Sequence, residues 1–214
     1  MAFDILSIYA ILEKKGGAAV EILYSDENIA VIVKPVGLDS EKEVPQQLAE
    51  QLGGAFLPVH RLDQNVGGVM VYARNSASAA NLSRQIQQGS FVKEYGALVH
   101  GTPEGTGDWT DFLFKDSRKN KVFVVKKERS GVKKARLTYQ RLRAGEQSLV
   151  RIRLYTGRSH QIRVQFSSRG YPLVGDHKYG SRAKETAPML FSCCLEFHLQ
   201  TPHRFEKLPD WAEM

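Results

Sequence analysis

Short β-rich runs closed by turn residues recur along this chain, and they constrain its fold more than any other feature. Val20-Glu21-Ile22-Leu23-Tyr24 and Ile29-Ala30-Val31-Ile32-Val33 flank the turn cluster Ser25-Asp26-Glu27-Asn28, which reads as a hairpin. Lys34-Pro35-Val36-Gly37 closes the second run, because proline cannot donate to a strand ladder. Further extended runs are expected at 57–62, 69–73, 91–99, 122–126, 135–142, 149–155 and 189–199. Helices are expected only at 45–53, 76–88 and 160–168. Ser76 reads as an N-cap and Gly89 as a stop. Loops or turns are expected at 104–108, 129–134 and 175–180, with a polar tail from Pro202. Many strands with few helices imply an α+β (mixed α/β) fold built on antiparallel sheet. A chain of 214 residues can bury one sizeable core. Without a repeat, low-complexity segment or linker, 1–214 reads as a single domain, with 1–19 as an N-terminal extension.

Charge is distributed unevenly. Residues 115–163 hold 16 of the 30 Lys and Arg but only Asp116, Glu128 and Glu146 among the acids. That segment carries +13, whereas the rest of the chain carries −6 of the net +7. A basic face on a slightly acidic body is the footprint of a polyanion binder, and nucleic acid is the expected partner. No apolar run approaches the roughly 18 residues of a membrane span. The N-terminus lacks an early positive charge and a small-residue cleavage site, so no secretory signal is read. The only cysteines, Cys193 and Cys194, are adjacent within an apolar run, an arrangement that suits buried thiols in a reducing cytoplasm.

The chemistry-bearing residues fall in four clusters. His60-Arg61-Leu62-Asp63 precedes the turn Gly67-Gly68 and the apolar run Val69-Met70-Val71-Tyr72-Ala73, placing one acid at a tight corner. Lys93-Glu94-Tyr95 puts a phenol on a strand. Tyr155-Thr156-Gly157-Arg158-Ser159-His160-Gln161-Ile162-Arg163 joins a strand end, a glycine turn and a helix start dense in donors. Gly175-Asp176-His177-Lys178-Tyr179-Gly180 is the fourth. Taken singly, each has an ordinary structural reading: a turn-forming Asp, a core Tyr, surface arginines. His60, His160 and His177 lack the spacing of a zinc site, and Gly67-Gly68 lacks the Lys-Ser or Lys-Thr of a phosphate loop.

In this order and at these spacings, the four clusters resemble the RluA family of RNA pseudouridine synthases. The resemblance covers roughly residues 20–202. It implies a pseudouridine synthase-like catalytic domain in which two antiparallel sheets form a continuous bent sheet with flanking helices and a central cleft. It implies isomerisation of a uridine in ribosomal RNA or tRNA, with no cofactor and no metal, by a cytoplasmic monomer. Asp63 matches the carboxylate that acts on the ribose, either attacking C1′ or assisting a route through a glycal. Such a carboxylate needs a cation to keep it charged in a partly dry pocket. The resemblance assigns that cation to Arg163; the residues alone leave Arg158 equally open. Tyr95 matches the tyrosine that packs under the base and moves a proton at C2′. Arg61 matches the residue that holds the RNA open when the uridine leaves the stack. Leu190 matches the apolar lining of the uracil pocket. His60, Arg158, His160 and Gln161 complete the expected substrate contacts, and Lys126, Lys127, Lys133 and Lys134 are expected on phosphates.

Three departures from the family pattern concern bracing and substrate contact, and none touches Asp63, Tyr95 or Arg163. After Asp63 the usual Thr-Ser-Gly is replaced by Val66-Gly67-Gly68, which lacks the hydroxyls that brace such a turn. Gln165 stands where a His is frequent. Asp39-Ser40-Glu41-Lys42 replaces a His-Pro type sequence. Residues 1–19 are too short for the small N-terminal RNA-binding domain of many relatives, so RNA affinity is expected from the basic segment. A second class remains open, an RNA-binding or RNA-folding protein that has lost catalysis. A glycoside hydrolase would need a second carboxylate near Asp63.

Overall fold

The structure is a computed structural model that describes residues 20–212; expectations for residues 1–19 lie outside the described residues. Eleven strands form one sheet: β1 (Glu21–Ser25), β2 (Ile29–Lys34), β3 (Leu57–Pro58), β4 (Gly67–Ala73), β5 (Val92–His100), β6 (Thr106–Asp116), β7 (Lys121–Val125), β8 (Val132–Arg143), β9 (Gln147–Leu154), β10 (Leu190–His198) and β11 (Pro202–Glu206). Three α-helices accompany them among the described residues: α1 (Glu43–Leu52), α2 (Ser76–Gln88) and α3 (Gln161–Ser167). The main path runs β1-β2-β4-β10-β5-β9-β8-β6-β7, with β3 added to β4 and β11 to β10. The sheet is open, with β1 and β7 at its ends. It is mixed rather than wholly antiparallel, because β4 and β10 pair in parallel.

Alternation along the central strands builds two cores. Ala30, Ile32, Met70 and Tyr72 enter the larger core, with Tyr95, Leu137, Ile152, Ile162, Phe166 and Leu190. Ile29, Val31, Val69 and Val71 face the opposite core, with Leu82 of α2, Leu195 and Phe197. All seven residues of β4 are buried, as expected of a strand covered on both faces. Each such aliphatic side chain contributes about 1.5–3 kcal/mol on burial.

Most expected elements are present, and four differ. Asn75, not Ser76, caps α2: its side chain accepts from the Ser78 amide at 2.8 Å. Gly89 ends that helix in the left-handed region at φ 77°. β6 begins inside the expected loop 104–108, and β8 begins inside the expected basic turn 129–134. The expected tail contains β11, which pairs with β10 along Cys194↔Glu206 to His198↔Pro202. Cys193 and Cys194 are buried free thiols. No helix among the described residues is long and apolar enough to cross a membrane.

The β4–β10–β5 junction positions the site. Phe191 and Ser192 pair with Gly67 and Gly68 on one side, and Ser192 pairs with Tyr95 on the other. The chain just past Asp63 is thereby fixed next to the strand that carries Tyr95. Gly68 permits this approach: at φ 126°, a Cβ there would lie 2.4 Å from both the Ser192 N and O.

Candidate active site

A pocket of about 590 Å³ lies over this junction, and Asp63, Tyr95 and Arg163 all line it. So do His60, Arg61, Arg158, His160, Gln161 and Leu190. Nine residues singled out in the sequence therefore converge, although they come from four separated segments. The volume falls within the range of ligand sites, roughly 300–1,000 Å³. Lys126, Lys127, Lys133 and Lys134 do not line it; they are exposed on the surface. The basic segment reaches the Asp63 region through Arg158, Arg163 and Lys115, the last lining an adjoining hollow of about 270 Å³.

Arg163, not Arg158, contacts the acid. Its Nη1 donates to the Asp63 carboxylate at 3.1 Å. Its Nε and Nη2 donate to the two oxygens of Asp176 at 2.7 and 2.8 Å, a bidentate fork. Arg163 and Asp176 are 8% and 1% exposed at the side chain, so this pair fixes the guanidinium rigidly. The Tyr179 ring packs 5.1 Å from the Arg163 guanidinium carbon. Burial opposes the charge on Arg163, but the Asp176 and Asp63 carboxylates outweigh it and raise its pKa. The cation beside Asp63 is therefore permanent, as an ionised acid in a partly dry site requires.

α3 presents two functional groups from neighbouring positions, His160 and Arg163, three residues apart. His160 enters the helix with φ 50° and ψ 24°, a left-handed conformation uncommon outside glycine. Its Nε2 lies 3.8 Å from the Asp63 carboxylate, and its Nδ1 is 2.8 Å from the Tyr179 hydroxyl. Burial lowers the His160 pKa, with Asp63 opposing and Arg163 assisting. Tyr179 accepts from the Val122 amide at 2.9 Å, and burial pushes its hydroxyl up to about 12. Gln161 spends its amide on the preceding turn. It accepts from Thr156 Oγ1 and the Arg158 amide and donates to the Arg136 carbonyl.

The corner carrying Asp63 lacks its usual hydroxyls but is braced by other groups. Fully buried Lys34 donates to the carbonyls of Pro35, Leu38 and Gln64 at 2.8, 2.9 and 3.2 Å. Burial pushes its pKa down to about 8 against the pull of Asp39, Asp63 and Glu43. Ser40 Oγ donates to the Leu62 carbonyl and accepts from the Leu62 amide. Tyr72 in β4 donates to the Ser40 carbonyl at 2.7 Å. Gln64 and Gly37 exchange two hydrogen bonds of 2.8 Å. Gln165 is likewise structural: it is fully buried and donates to Asp111, which Arg169 also grips.

The other expected residues occupy distinct places. Tyr95 is 6% exposed; burial, then the Asp63 charge, raises its pKa and keeps the phenol neutral. Leu190 is buried and pairs with Ala97. Arg61 stands exposed at the pocket and pairs with Glu41 at 2.9 Å. His60 Nε2 accepts from the Val71 amide, while its buried Nδ1 has no partner. Burial and the Lys93 charge push its pKa down to about 3. Sequence reasoning assigned no role to Asp176, Tyr179, Lys34 or Lys93, although the first two stand in the fourth cluster, Lys34 in Lys34-Pro35-Val36-Gly37 and Lys93 in Lys93-Glu94-Tyr95. Among the described residues, no cluster of three His, Cys, Asp or Glu is placed to hold a metal.

Residues 27–168 match the family model described as RNA pseudouridylate synthase. The chain belongs to that family. It is 31% identical over 231 residues to an uncharacterized RNA pseudouridine synthase of Aquifex aeolicus, covering 91% of this chain and 73% of that protein. It is 38% identical over 176 residues to the ribosomal large subunit pseudouridine synthase D of Pseudomonas aeruginosa, covering 76% of this chain. The aligned part spans about half of that relative, 54% of its length. Its fold matches a human structure titled RNA Pseudouridylate Synthase Domain Containing 1, with a TM-score of 0.78 and 23% identity. That superposition covers 90% of this chain and 85% of the human one. The mixed sheet with few helices is thus the fold of this synthase family.

Proposed function

We propose that this chain isomerises uridine to pseudouridine within RNA, with Asp63 acting on the ribose of a uridine turned out of its stack. The observation that carries this reading is the Asp63 carboxylate, held 3.1 Å from Arg163 in a pocket that Tyr95 and Leu190 also line. The N1–C1′ bond breaks, the uracil turns, C5 bonds to C1′, and the C5 hydrogen leaves as a proton while N1 gains one. Atoms and electrons balance without a redox partner or group donor. Asp63 either attacks C1′ or assists a glycal route; both need it ionised, and Arg163 favours that state.

Tyr95 supports the base with its ring; on the glycal route Asp63 takes the C2′ proton, the neutral Tyr95 hydroxyl returns one to C2′, and Asp63 passes its proton to the phenolate. Leu190 supplies an apolar wall for uracil. Turning the uridine out costs a few kcal/mol. Arg61 exchanges Glu41 for the opened RNA and so offsets part of that cost. His160 and Arg158 contact the substrate, while Gln161 and His60 hold the walls. Lys126, Lys127, Lys133 and Lys134 engage phosphates outside the pocket. The acting unit is a cytoplasmic monomer.

The first RNA to examine is large-subunit ribosomal RNA, because the Pseudomonas relative carries that name; tRNA is the alternative. Pseudouridines in both RNAs would be mapped in a deletion strain against its parent. Loss of a site that returns with the wild-type gene supports the reading. An unchanged map across all RNA, with no conversion by the purified protein, favours an RNA-binding protein without catalysis.

A further inference from the structure

We propose that Lys93 and Arg158 form a phosphate seat inside the pocket wall, taking a backbone phosphodiester beside the turned-out uridine. The ligand rests on the isomerase reading above; the seat itself rests on the geometry.

Lys93 precedes Tyr95 by two residues on β5, so the two side chains share a face of the sheet. Both line the pocket, at 8% and 6% exposure. The other buried cations are satisfied: Lys34 by three carbonyls, Arg163 by two carboxylates. Lys93 Nζ has no hydrogen bond or ion pair among the described residues. A buried ammonium without a partner is costly unless a ligand supplies one.

The chain makes room for this amine. A Cβ on Gly157 would sit 3.3 Å from Lys93 Nζ, so a larger residue would crowd it. The next residue, Arg158, adds a second cation; its Nε is tied to the Lys134 carbonyl at 3.0 Å, which orients the guanidinium. No carboxylate answers either charge, since Asp63 is engaged by Arg163. Burial and then Arg158 lower the Lys93 pKa, as two cations without an anion require. RNA phosphate is the anion that a uridine in this pocket would bring with it.

The test is binding of single-stranded oligouridylate to wild type, Lys93→Gln, Lys93→Arg and Gly157→Ala across a range of salt. The expected result is a slope of log K against log salt that is shallower by about 0.7 for Lys93→Gln, the single-strand share of one phosphate. Gly157→Ala, which shifts the amine by only a few tenths of an ångström, and Lys93→Arg both keep a cation in the seat and should retain the slope. Uridine nucleoside should bind Lys93→Gln as it binds wild type. Thermal stability of free Lys93→Gln should equal or exceed that of wild type, because an unpaired buried charge is gone. An unchanged slope for Lys93→Gln, or an equal loss for nucleoside and oligomer, overturns the proposal; the second outcome would put Lys93 on a uracil carbonyl. These readouts need no turnover. A wild type that makes no pseudouridine but shows the slope change sinks the isomerase reading and leaves the phosphate seat standing.

Discussion

Two walls of one pocket handle charge in opposite ways. Around Asp63 the charges are closed on one another: the acid meets Arg163, Arg163 forks onto Asp176, and Lys34 is capped by three carbonyls. Around Lys93 and Arg158, cations stand without counter-charge. The first wall is finished before any ligand arrives, which suits chemistry that needs a fixed carboxylate. The second is completed only by an anion, which suits recognition of a backbone. Preorganised catalysis and electrostatic binding thus occupy adjoining surfaces of a single β-sheet junction.

The largest expected effect comes from breaking the closed wall. Arg163→Ala leaves Asp176, which is 1% exposed, without its partner. Such a loss costs about 3–5 kcal/mol, readable in urea unfolding, and turnover should vanish with it. A cost below about 1 kcal/mol would show that the pair is not closed as described. A medium effect is expected from acid. Folded His60 stays neutral down to about pH 3, whereas the unfolded imidazole takes up a proton near its ordinary 6.5. The unfolded chain then binds the extra proton, so His60-linked stability is full above 6.5 and drains as pH falls toward 3. Melting curves of wild type and His60→Asn should diverge over that window; parallel curves would contradict the neutral assignment. The smallest effect belongs to the outer basic surface. Neutralising Lys126, Lys127, Lys133 and Lys134 together should flatten the salt dependence of RNA binding while leaving turnover at saturating RNA intact. No change in slope would remove these lysines from the RNA path.

What could be read in advance followed the range of the interactions. The bounds of α2 were legible because alanines, a capping residue and Gly89 are local signals. Its cap was misplaced by one residue because Asn75 and Ser76 are both good caps. β11 read as a tail because Pro202-His203-Arg204-Phe205-Glu206 is largely polar; its ladder to β10 and the packing of Phe205 against Phe197 hold it, and those are invisible in sequence. At the site, motif order singled out nine residues that line one pocket. The family resemblance pointed to Arg163, but the residues alone could not choose between Arg158 and Arg163, because the deciding contact spans 100 positions. Nor could they foresee that Lys34, Ser40 and Tyr72 would brace a corner whose own hydroxyls are missing. That substitution of partners is why the altered turn leaves Asp63 fixed.

The most direct measurement is tritium release from RNA labelled at uracil C5, by wild type and Asp63→Asn, with RNA affinity measured on the same preparations. Wild type should release tritium, and Asp63→Asn should release none while binding RNA within a few-fold of wild type. Undiminished release by Asp63→Asn would contradict the assignment of the reaction to this carboxylate.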